Sequence, residues 1–151
     1  MSKKSEEKWM REALKEARAA AEEEQVPVGC VIVVGQNELA RAHNTRASSK
    51  DPTAHAEMLA LRRAAEKRGD WRLTDTTVYC TLEPCCMCAG ALLNARVSRL
   101  VYGLSDPKSG ACGSIVNLLN ISAFNHCVEV NGGVLANETR ELMQSFFRQK
   151  R

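Results

Sequence analysis

The amino-acid sequence predicts a single α/β layered domain spanning residues 1–151. Segments with the pattern of a buried strand alternate along the chain with segments that have the period of an amphipathic helix, which is the order expected of layered α/β domains. The chain has 151 residues, of which 44% are hydrophobic and 26% are charged. This length and composition allow one sizeable core and favour one domain over two.

A helix followed by a β-hairpin is predicted in the first third of the chain. The segment 5–24 carries apolar residues at helical spacing, and Ser5 is available as its N-cap. The run "VPVGCVIVV" (26–34) is continuously apolar, which predicts a strand buried on both faces. The turn-like "GQNE" then leads into a second short strand, "LARAH" (39–43).

Two helices that begin with proline follow, separated by a strand. Asp51 is expected to cap a helix that begins at Pro52 and ends at Gly69. The β-branched run "TTVYCTL" (76–82) predicts the third strand. The next helix is predicted in "PCCMCAGALLNAR", with Pro84 at its first position.

The remaining elements complete the alternation. The segments "RLVYG" (99–103) and "HCVEV" (126–130) predict strands, and "SIVNLLN" (114–120) predicts a short helix between them. A closing helix over 136–150 carries Leu142, Met143, Phe146 and Phe147 on one side. Because strands alternate with helices through right-handed crossovers, at least part of the sheet is expected to be parallel.

Composition and charge narrow the class of protein. The chain contains no run of about 18 apolar residues, and its first twenty-five residues are rich in Glu, Lys and Arg, so neither a membrane span nor a secretory signal is predicted. We therefore expect a cytoplasmic protein without membrane association. The net charge of +3 permits nucleic-acid binding without requiring it.

The seven cysteines favour a metal site over a disulfide framework. Their number is odd and three of them are crowded into one short segment, which suits a metal site in a reducing compartment. Cys85 and Cys88 share a face of the predicted helix, whereas Cys86 points about 100° away and is expected to pack against the protein. The other four, Cys30, Cys80, Cys112 and Cys127, are expected to be buried packing residues.

The motif "HAE" supplies the remaining parts of a hydrolytic centre. Side chains in the first turns of a helix lean toward its N-terminus, so His55 and Glu57 can both border a pocket at the helix end. One nitrogen and two sulfurs, from His55, Cys85 and Cys88, suit zinc and leave a fourth position for water. Zinc lowers the pKa of bound water from about 15.7 to about 7. Glu57 is then placed to take the proton and return it to the substrate.

These motifs carry a family resemblance. "HAE" followed by "EPCCMCAG" resembles the signature of the zinc-dependent cytidine and purine deaminases. The segments "VPVGCVIV", "DPTAHAEMLAL", "YCTLEPCCMCAGAL", "VYGLSDPKSGACGS" and "FFRQKR" are similar to the bacterial tRNA-specific adenosine deaminases. The segment from Gly103 to Ser114 and the basic C-terminal helix separate that family from the guanine deaminases, which share "DPTAHAE".

The resemblance implies a structure and an activity. The expected fold is a three-layer α/β/α cytidine-deaminase-like fold with a mixed central sheet of about five strands, assembled as a homodimer with one zinc ion per subunit. The expected reaction is deamination of the wobble adenosine of an arginine tRNA to inosine, in which zinc-bound hydroxide attacks C6 of adenine and Glu57 shuttles the proton.

The resemblance also implies residues that bind the anticodon stem-loop. Asn44 would hydrogen-bond the base or its ribose, and Asp106 would contact the ribose and backbone near the target. One of the two adjacent aromatics of the closing helix is expected in the core, and Phe147 is a candidate for stacking on RNA. The candidates for phosphate or flanking-base contacts are Arg72, Lys108, Arg148, Lys150 and Arg151.

Two alternatives remain open from the residues. A deaminase of a free base or nucleotide, such as guanine or cytosine, would use the same centre but would not need Lys108 or the basic C-terminus. A non-enzymatic, zinc-stapled interaction module would need a fourth protein ligand, for which Cys86 is available, and would not depend on Glu57. General acid–base catalysis instead predicts a loss of roughly 10² to 10⁴-fold in rate without Glu57, with zinc retained.

Overall fold

A computed structural model describes residues 2–150 of the chain as a five-stranded sheet between helices. The strands are β1 (Gly29–Val34), β2 (Asn37–His43), β3 (Thr76–Leu82), β4 (Arg99–Leu104) and β5 (Glu129–Asn131). The helices are α1 (Lys3–Glu22), the single-turn α2 (Arg46–Ser49), α3 (Ala56–Arg68), α4 (Cys86–Asn94) and α5 (Ala136–Gln149), with a 3₁₀ turn at Leu118–Asn120. The alternation of strands and helices is confirmed.

The sheet is mixed, and most of its strands run in one direction. Its order is β2-β1-β3-β4-β5, with β1 antiparallel to both of its neighbours and the pairs β3–β4 and β4–β5 parallel. Strand β1 therefore runs opposite to the other four. The carboxyl ends of β2, β3 and β4 meet at one edge, where β1 begins.

Helices cover both faces of the sheet, which confirms the three-layer arrangement. Val31 and Val33 of β1 pack with Trp9 and Met10 of α1 on one face. Cys30 and Ile32 of the same strand belong to a larger cluster that contains the apolar residues of α3 and α4. Strand β1 is thus buried on both faces, as its continuous apolar run predicts. Helix α5 lies on the α1 face, against β4.

The predicted starts of three helices are wrong. Helix α1 is capped by Ser2, whose hydroxyl accepts a hydrogen bond from the Ser5 backbone N–H at 3.1 Å, rather than by Ser5. Asp51 does not cap α3, because its carboxylate accepts from the backbone N–H and hydroxyl of Thr53 and closes a local turn. Pro52 lies in that turn, and Pro84 likewise precedes α4 instead of opening it.

Helix α3 ends where the sequence predicts. Gly69 adopts a left-handed conformation with φ of +76° and its N–H returns to the Ala65 carbonyl, a common helix termination. On α5, Phe146 is buried and Phe147 is 46% exposed, so one aromatic of the pair is in the core as expected.

Two cysteine predictions are wrong. Cys86 and Cys127 are exposed, whereas both were expected to pack, while Cys30, Cys80 and Cys112 are buried as predicted. Cys86 directly follows the N-cap of α4 and is exposed, so helical geometry separates it from Cys88 but does not bury it. Cys127 precedes the short edge strand β5.

Among residues 2–150, none of the helices combines the length and the apolar character needed to cross a bilayer.

Helix α1 packs backbone to backbone on β1 at Gly29, which generates a test of the fold. A Cβ on Gly29 would collide with the Ala13 carbonyl and lie 2.6 Å from the Ala17 nitrogen. Gly29→Ala is therefore expected to lower the free energy of unfolding by about 1–3 kcal/mol, measured by urea denaturation.

Gly90→Ala is the matched control. No atom lies within 4 Å of a Cβ at Gly90, which is in the interior of α4, so this variant should be unchanged or more stable by up to about 1 kcal/mol. If the two variants unfolded at the same urea concentration as the wild type, the close approach of α1 to β1 would be contradicted.

Candidate metal centre

Two helix N-termini converge at the carboxyl edge of the sheet and carry the candidate ligands. His55 is the N-cap of α3 and Cys85 is the N-cap of α4, and neither side chain makes a capping hydrogen bond. Residues that cap helices usually use their side chain for the free backbone N–H groups. Because these two do not, the imidazole and the thiol are available for other partners.

The N-cap position explains how a histidine and a glutamate two residues apart reach the same place. His55 has an extended backbone conformation and lies outside α3, whereas Glu57 lies in the first turn of the helix. The 100° rotation per helical residue therefore does not apply between them. Both side chains border one cavity at the end of α3.

The local chain path places the two cysteines. Strand β3 ends at Leu82, and Glu83 and Pro84 carry the chain from the strand to α4. A residue before proline is restricted to extended conformations, which keeps the helix from starting early. Cys85 then falls at the N-cap and Cys88 one turn later on the same side.

The three candidate ligand atoms form a compact group. His55 Nδ1 lies 3.6 Å from Cys85 Sγ and 3.6 Å from Cys88 Sγ. All three atoms lie within 4.8 Å of one another, and this is the one such group found among residues 2–150. Cys88 is buried, while His55 and Cys85 are partly exposed at the cavity wall. The group could hold a metal ion.

Hydrogen bonding within the group favours a thiolate at the cavity. The hydrogen bond from Cys88, together with one from His55, lowers the pKa of the Cys85 thiol to about 3 against the opposing effect of its partial burial. The same Cys85–Cys88 hydrogen bond, with burial, raises the pKa of Cys88. The hydrogen bond with Cys85 raises the pKa of His55. The positive end of α4 also favours the thiolate form.

Glu57 lies beside this group with an unsatisfied oxygen. It is 4% exposed, and its Oε1 has no hydrogen-bond partner among the described residues. Burial raises the pKa of its carboxyl. A buried polar atom without a partner is rare in native proteins unless a ligand or water occupies the site. The free oxygen of Glu57 is therefore available to hydrogen-bond a ligand or water in the cavity.

The cavity is formed by the ends of several strands. Asn44 follows β2, Cys85 follows β3 and Asp106 follows β4, so each arrives at the carboxyl edge of the sheet. The residues that line the cavity are Val26, Val28, Asn44, Arg46, His55, Ala56, Glu57, Leu82, Glu83, Cys85, Asp106 and Ser109. This set brings together the two polar residues for which the resemblance implies base and ribose contacts.

Asn44 is held in place with hydrogen-bonding capacity to spare. Its Oδ1 accepts from the Arg46 backbone N–H at 3.0 Å, and its Nδ2 donates to the Val26 carbonyl at 3.3 Å. An amide has two acceptor sites and two donor hydrogens, so one of each remains for a ligand. Asn44 is 7% exposed and lines the cavity.

The other predicted contact residues lie outside the cavity wall. Lys108 is exposed on the loop that carries Asp106. Phe147 and Arg148 border a separate cleft on α5. Arg72 is exposed and its Nε pairs with Asp70 at 3.2 Å. Lys150 is exposed at the end of α5, and the prediction for Arg151 falls outside the described residues.

Two cavity residues escape prediction from the sequence. Arg46 is exposed and lines the cavity in the single-turn helix after Asn44. Glu83 is 2% exposed and immediately precedes the Pro84–Cys85 ligand motif. Its position, directly after β3 and next to the ligand motif, was the signal that could have found it.

Comparison with known proteins places the chain in a family. The MafB19-like deaminase family matches residues 4–151. A relative from Bacillus subtilis, the "tRNA-specific adenosine deaminase", is 47% identical over 143 residues, which cover 95% of this chain and 89% of the relative. The chain belongs to the tRNA-specific adenosine deaminase family.

Two solved structures resemble the chain, and the more similar in sequence agrees with this deaminase assignment. A structure from studies of A-to-I editing by tRNA:A34 deaminases at the wobble position of transfer RNA has a TM-score of 0.85 and 42% identity, covering 88% of this chain and 96% of that one. The guanine deaminase from Nitrosomonas europaea has a TM-score of 0.75 with 22% identity, covering 91% of this chain and 81% of that one. The second likeness shows a shared fold alone.

The ligand group of this deaminase predicts which cysteine controls metal content. Cys85→Ala removes one of the three donor atoms and is expected to abolish most metal retention, because three ligands hold the ion. Metal per protein chain, measured by elemental mass spectrometry after gel filtration, reports the loss.

Cys86→Ala is the matched control, since the adjacent thiol is exposed and outside the ligand group. It should retain metal at the wild-type ratio. Equal loss in both variants, or no loss in Cys85→Ala, would contradict the assignment.

Proposed function

We propose that the protein hydrolytically deaminates adenosine to inosine at the wobble position of a tRNA, in the anticodon loop of an arginine tRNA. The observation that carries the proposal is the cavity in which a nitrogen–sulfur–sulfur group, a buried glutamate with a free oxygen, and two substrate-facing polar residues meet. The names of the relatives support the nucleic-acid substrate.

Zinc is the metal that fits the centre, held by His55, Cys85 and Cys88. Ligands on a tetrahedral zinc, with bonds of about 2.1 Å to nitrogen and 2.3 Å to sulfur, lie about 3.6 Å apart. The His55 Nδ1 distances to both sulfurs are 3.6 Å. When bound, zinc supplies the Lewis acidity that makes water a nucleophile at neutral pH.

Glu57 moves the protons of the reaction. Its unpartnered Oε1 faces the cavity group, and burial raises the pKa of the carboxyl, so the side chain can accept a proton and hold it. It takes one proton from the attacking water and delivers it to the ring nitrogen of adenine. It then takes the second proton from the hydroxyl now on C6 and delivers it to the departing amine. Ammonia leaves and inosine remains.

Asn44 and Asp106 orient the nucleoside. The free amide donor and acceptor of Asn44 suit a base edge or ribose hydroxyl. Asp106 uses Oδ1 to accept from the backbone N–H groups of Lys108 and Ser109, at 3.0 and 3.2 Å. Among the described residues no donor bonds to Oδ2, which leaves this oxygen for the ribose 2′-hydroxyl. A carboxylate near a polyanion requires such a donor to be favourable.

Cations and an exposed aromatic hold the rest of the loop. Lys108, near Asp106, and Arg46, at the cavity wall, face phosphates beside the target nucleotide. Phe147 is 46% exposed on α5 next to Arg148, an arrangement suited to stacking on a flanking base. Arg72, which is exposed and outside the cavity wall, supplies a further positive charge.

The protein works as a homodimer in the cytoplasm. An apolar groove between α3 and α4 is lined by Met58, Leu61, Ala65 and Ala91, and Trp71 beside it is 57% exposed. An apolar surface of this kind is typical of an interface between protein chains. The unpaired cysteines suit a reducing compartment.

A non-enzymatic zinc module is disfavoured by the position of Cys86. Such a site closes its metal with four protein ligands. Cys86 is exposed and outside the ligand group, and no fourth cysteine, histidine or carboxylate joins the group among the described residues.

Removing the proton shuttle should slow catalysis strongly without releasing the metal. Glu57→Gln is expected to reduce kcat on an anticodon stem-loop by about 10² to 10⁴-fold, with zinc content unchanged, because the amide cannot carry the proton. Inosine formation measured by mass spectrometry of the digested RNA gives the rate. A variant with more than a tenth of wild-type kcat would contradict the role of Glu57.

Asp106 should discriminate RNA from DNA. Asp106→Asn is expected to narrow the preference for the RNA stem-loop over the same sequence as DNA by about tenfold, since the carboxylate accepts from the 2′-hydroxyl more strongly than an amide oxygen does. The ratio of kcat/KM on the two substrates is measured for both proteins. An unchanged ratio would remove Asp106 from sugar recognition.

A further inference from the structure

Glu83 is a second buried carboxylate in the cavity wall, and the proposed reaction gives it no task. It is 2% exposed and follows β3 directly, two residues before Cys85. Across from it lies the Asp106 loop, which we define as residues 105–114, between β4 and the 3₁₀ turn. The loop contains no helix or strand of its own, so something else must fix its shape.

The carboxylate of Glu83 binds this loop through four hydrogen bonds. Oε1 accepts from the Asp106 backbone N–H at 3.0 Å and from the Ser114 hydroxyl. Oε2 accepts from the backbone N–H groups of Cys112 and Ser114, at 3.0 and 3.1 Å. These four hydrogen bonds satisfy the buried carboxylate entirely with donors from the loop.

Gly110 allows the loop to close around the carboxylate. A Cβ on Gly110 would lie 2.5 Å from Glu83 Oε1 and closer still to Oε2 and Cδ, so no larger residue fits while the loop is bound. The Gly110 N–H returns to the Asp106 carbonyl at 2.8 Å. The loop therefore packs closely against the Glu83 carboxylate.

The same hydrogen bonds exclude Glu83 from acid–base chemistry. A carboxylate has about four acceptor sites, and the loop fills all four. Glu57, by contrast, has an oxygen without a partner. The two buried carboxylates of the cavity therefore differ in what they can do. Glu57 has an oxygen free for a substrate or water, whereas both oxygens of Glu83 are bonded to the protein.

Resting on the proposed function, we propose that Glu83 is a positioning residue that fixes the Asp106 loop over the cavity and so sets the affinity for the target nucleoside. The path runs from Glu83 to the Asp106 backbone, and from the Asp106 carboxylate to Lys108 and Ser109. Because Glu83 is joined through Pro84 to Cys85, the strand end that supplies a metal ligand also supplies the anchor for the ribose contact.

The test separates KM from kcat in the zinc-loaded, full-length protein. Glu83→Gln replaces acceptor sites with an amide that repels the loop N–H groups, and a misplacement of about 1 Å is expected to cost about 10²-fold in kcat/KM on the stem-loop. Most of the change should appear in KM, with zinc content retained. A fall in zinc content, or a change confined to kcat, would overturn the proposal.

A double-variant cycle distinguishes positioning from general destabilisation. Glu83→Gln should add little to the KM of Asp106→Ala, because both act through the same contact. Gly110→Ala perturbs the contact from the loop side and should show the same non-additivity, which keeps the test available if Glu83→Gln does not fold. Additive effects in both cycles would overturn the proposal.

Amide hydrogen exchange provides a readout independent of turnover. The N–H groups of Asp106, Cys112 and Ser114 should be protected in the wild type and should exchange at least tenfold faster in Glu83→Gln, with core amides of β3 unchanged. Unchanged protection would refute the anchor. If the wild type failed to convert the stem-loop, the proposed function would fail, while the exchange result would still decide whether Glu83 holds the loop.

Discussion

The constraint on which the site depends is the meeting of two helix N-termini at one edge of the sheet. Because β1 alone runs against the other strands, the carboxyl ends of β2, β3 and β4 lie together. His55 and Cys85 occupy the N-caps of the helices that follow two of these strands. Reversing any one strand would carry its functional residue to the opposite edge.

The N-cap positions also determine the chemistry. Histidine and cysteine are not among the preferred N-cap residues, and here neither side chain makes a capping hydrogen bond. Both helices therefore lack that stabilising bond, and both side chains are free to bind a cation. The backbone N–H groups at the helix ends favour negative charge, which supports a thiolate at Cys85. Glu57 in the first turn of α3 then sits against the same group without needing to be a ligand.

The two buried carboxylates of the cavity, Glu57 and Glu83, differ in their hydrogen bonds and therefore in their pKa values. Glu57 and Glu83 line the same cavity and are almost equally buried. The pKa of Glu57 is raised because burial dominates, whereas four donors lower the pKa of Glu83. This difference supports the proposals that Glu57 carries protons and that Glu83 holds the Asp106 loop.

Much of this architecture could be predicted from sequence patterns, and the remainder depends on local competition and tertiary contacts. Strand β1 was predictable because its apolar run has no polar break, and the ligand group because its spacing is specific. The starts of the helices were not predictable from these patterns, because local hydrogen bonds compete with capping. Asp51, for example, accepts from Thr53 instead of capping α3. Glu83 belongs to no periodic pattern in the sequence, and its hydrogen-bond partners lie more than twenty residues away along the chain. Its role therefore becomes visible only in the folded structure.

The most direct test of the central claim is a substrate panel on the purified wild-type protein. An arginine-tRNA anticodon stem-loop, free adenosine, cytidine and guanine are incubated separately, and ammonia release and product base mass are recorded. The account predicts conversion of the stem-loop adenosine to inosine with the free compounds unchanged. Turnover of a free base or nucleoside with the stem-loop untouched would contradict it, retaining the hydrolytic centre but assigning it another substrate.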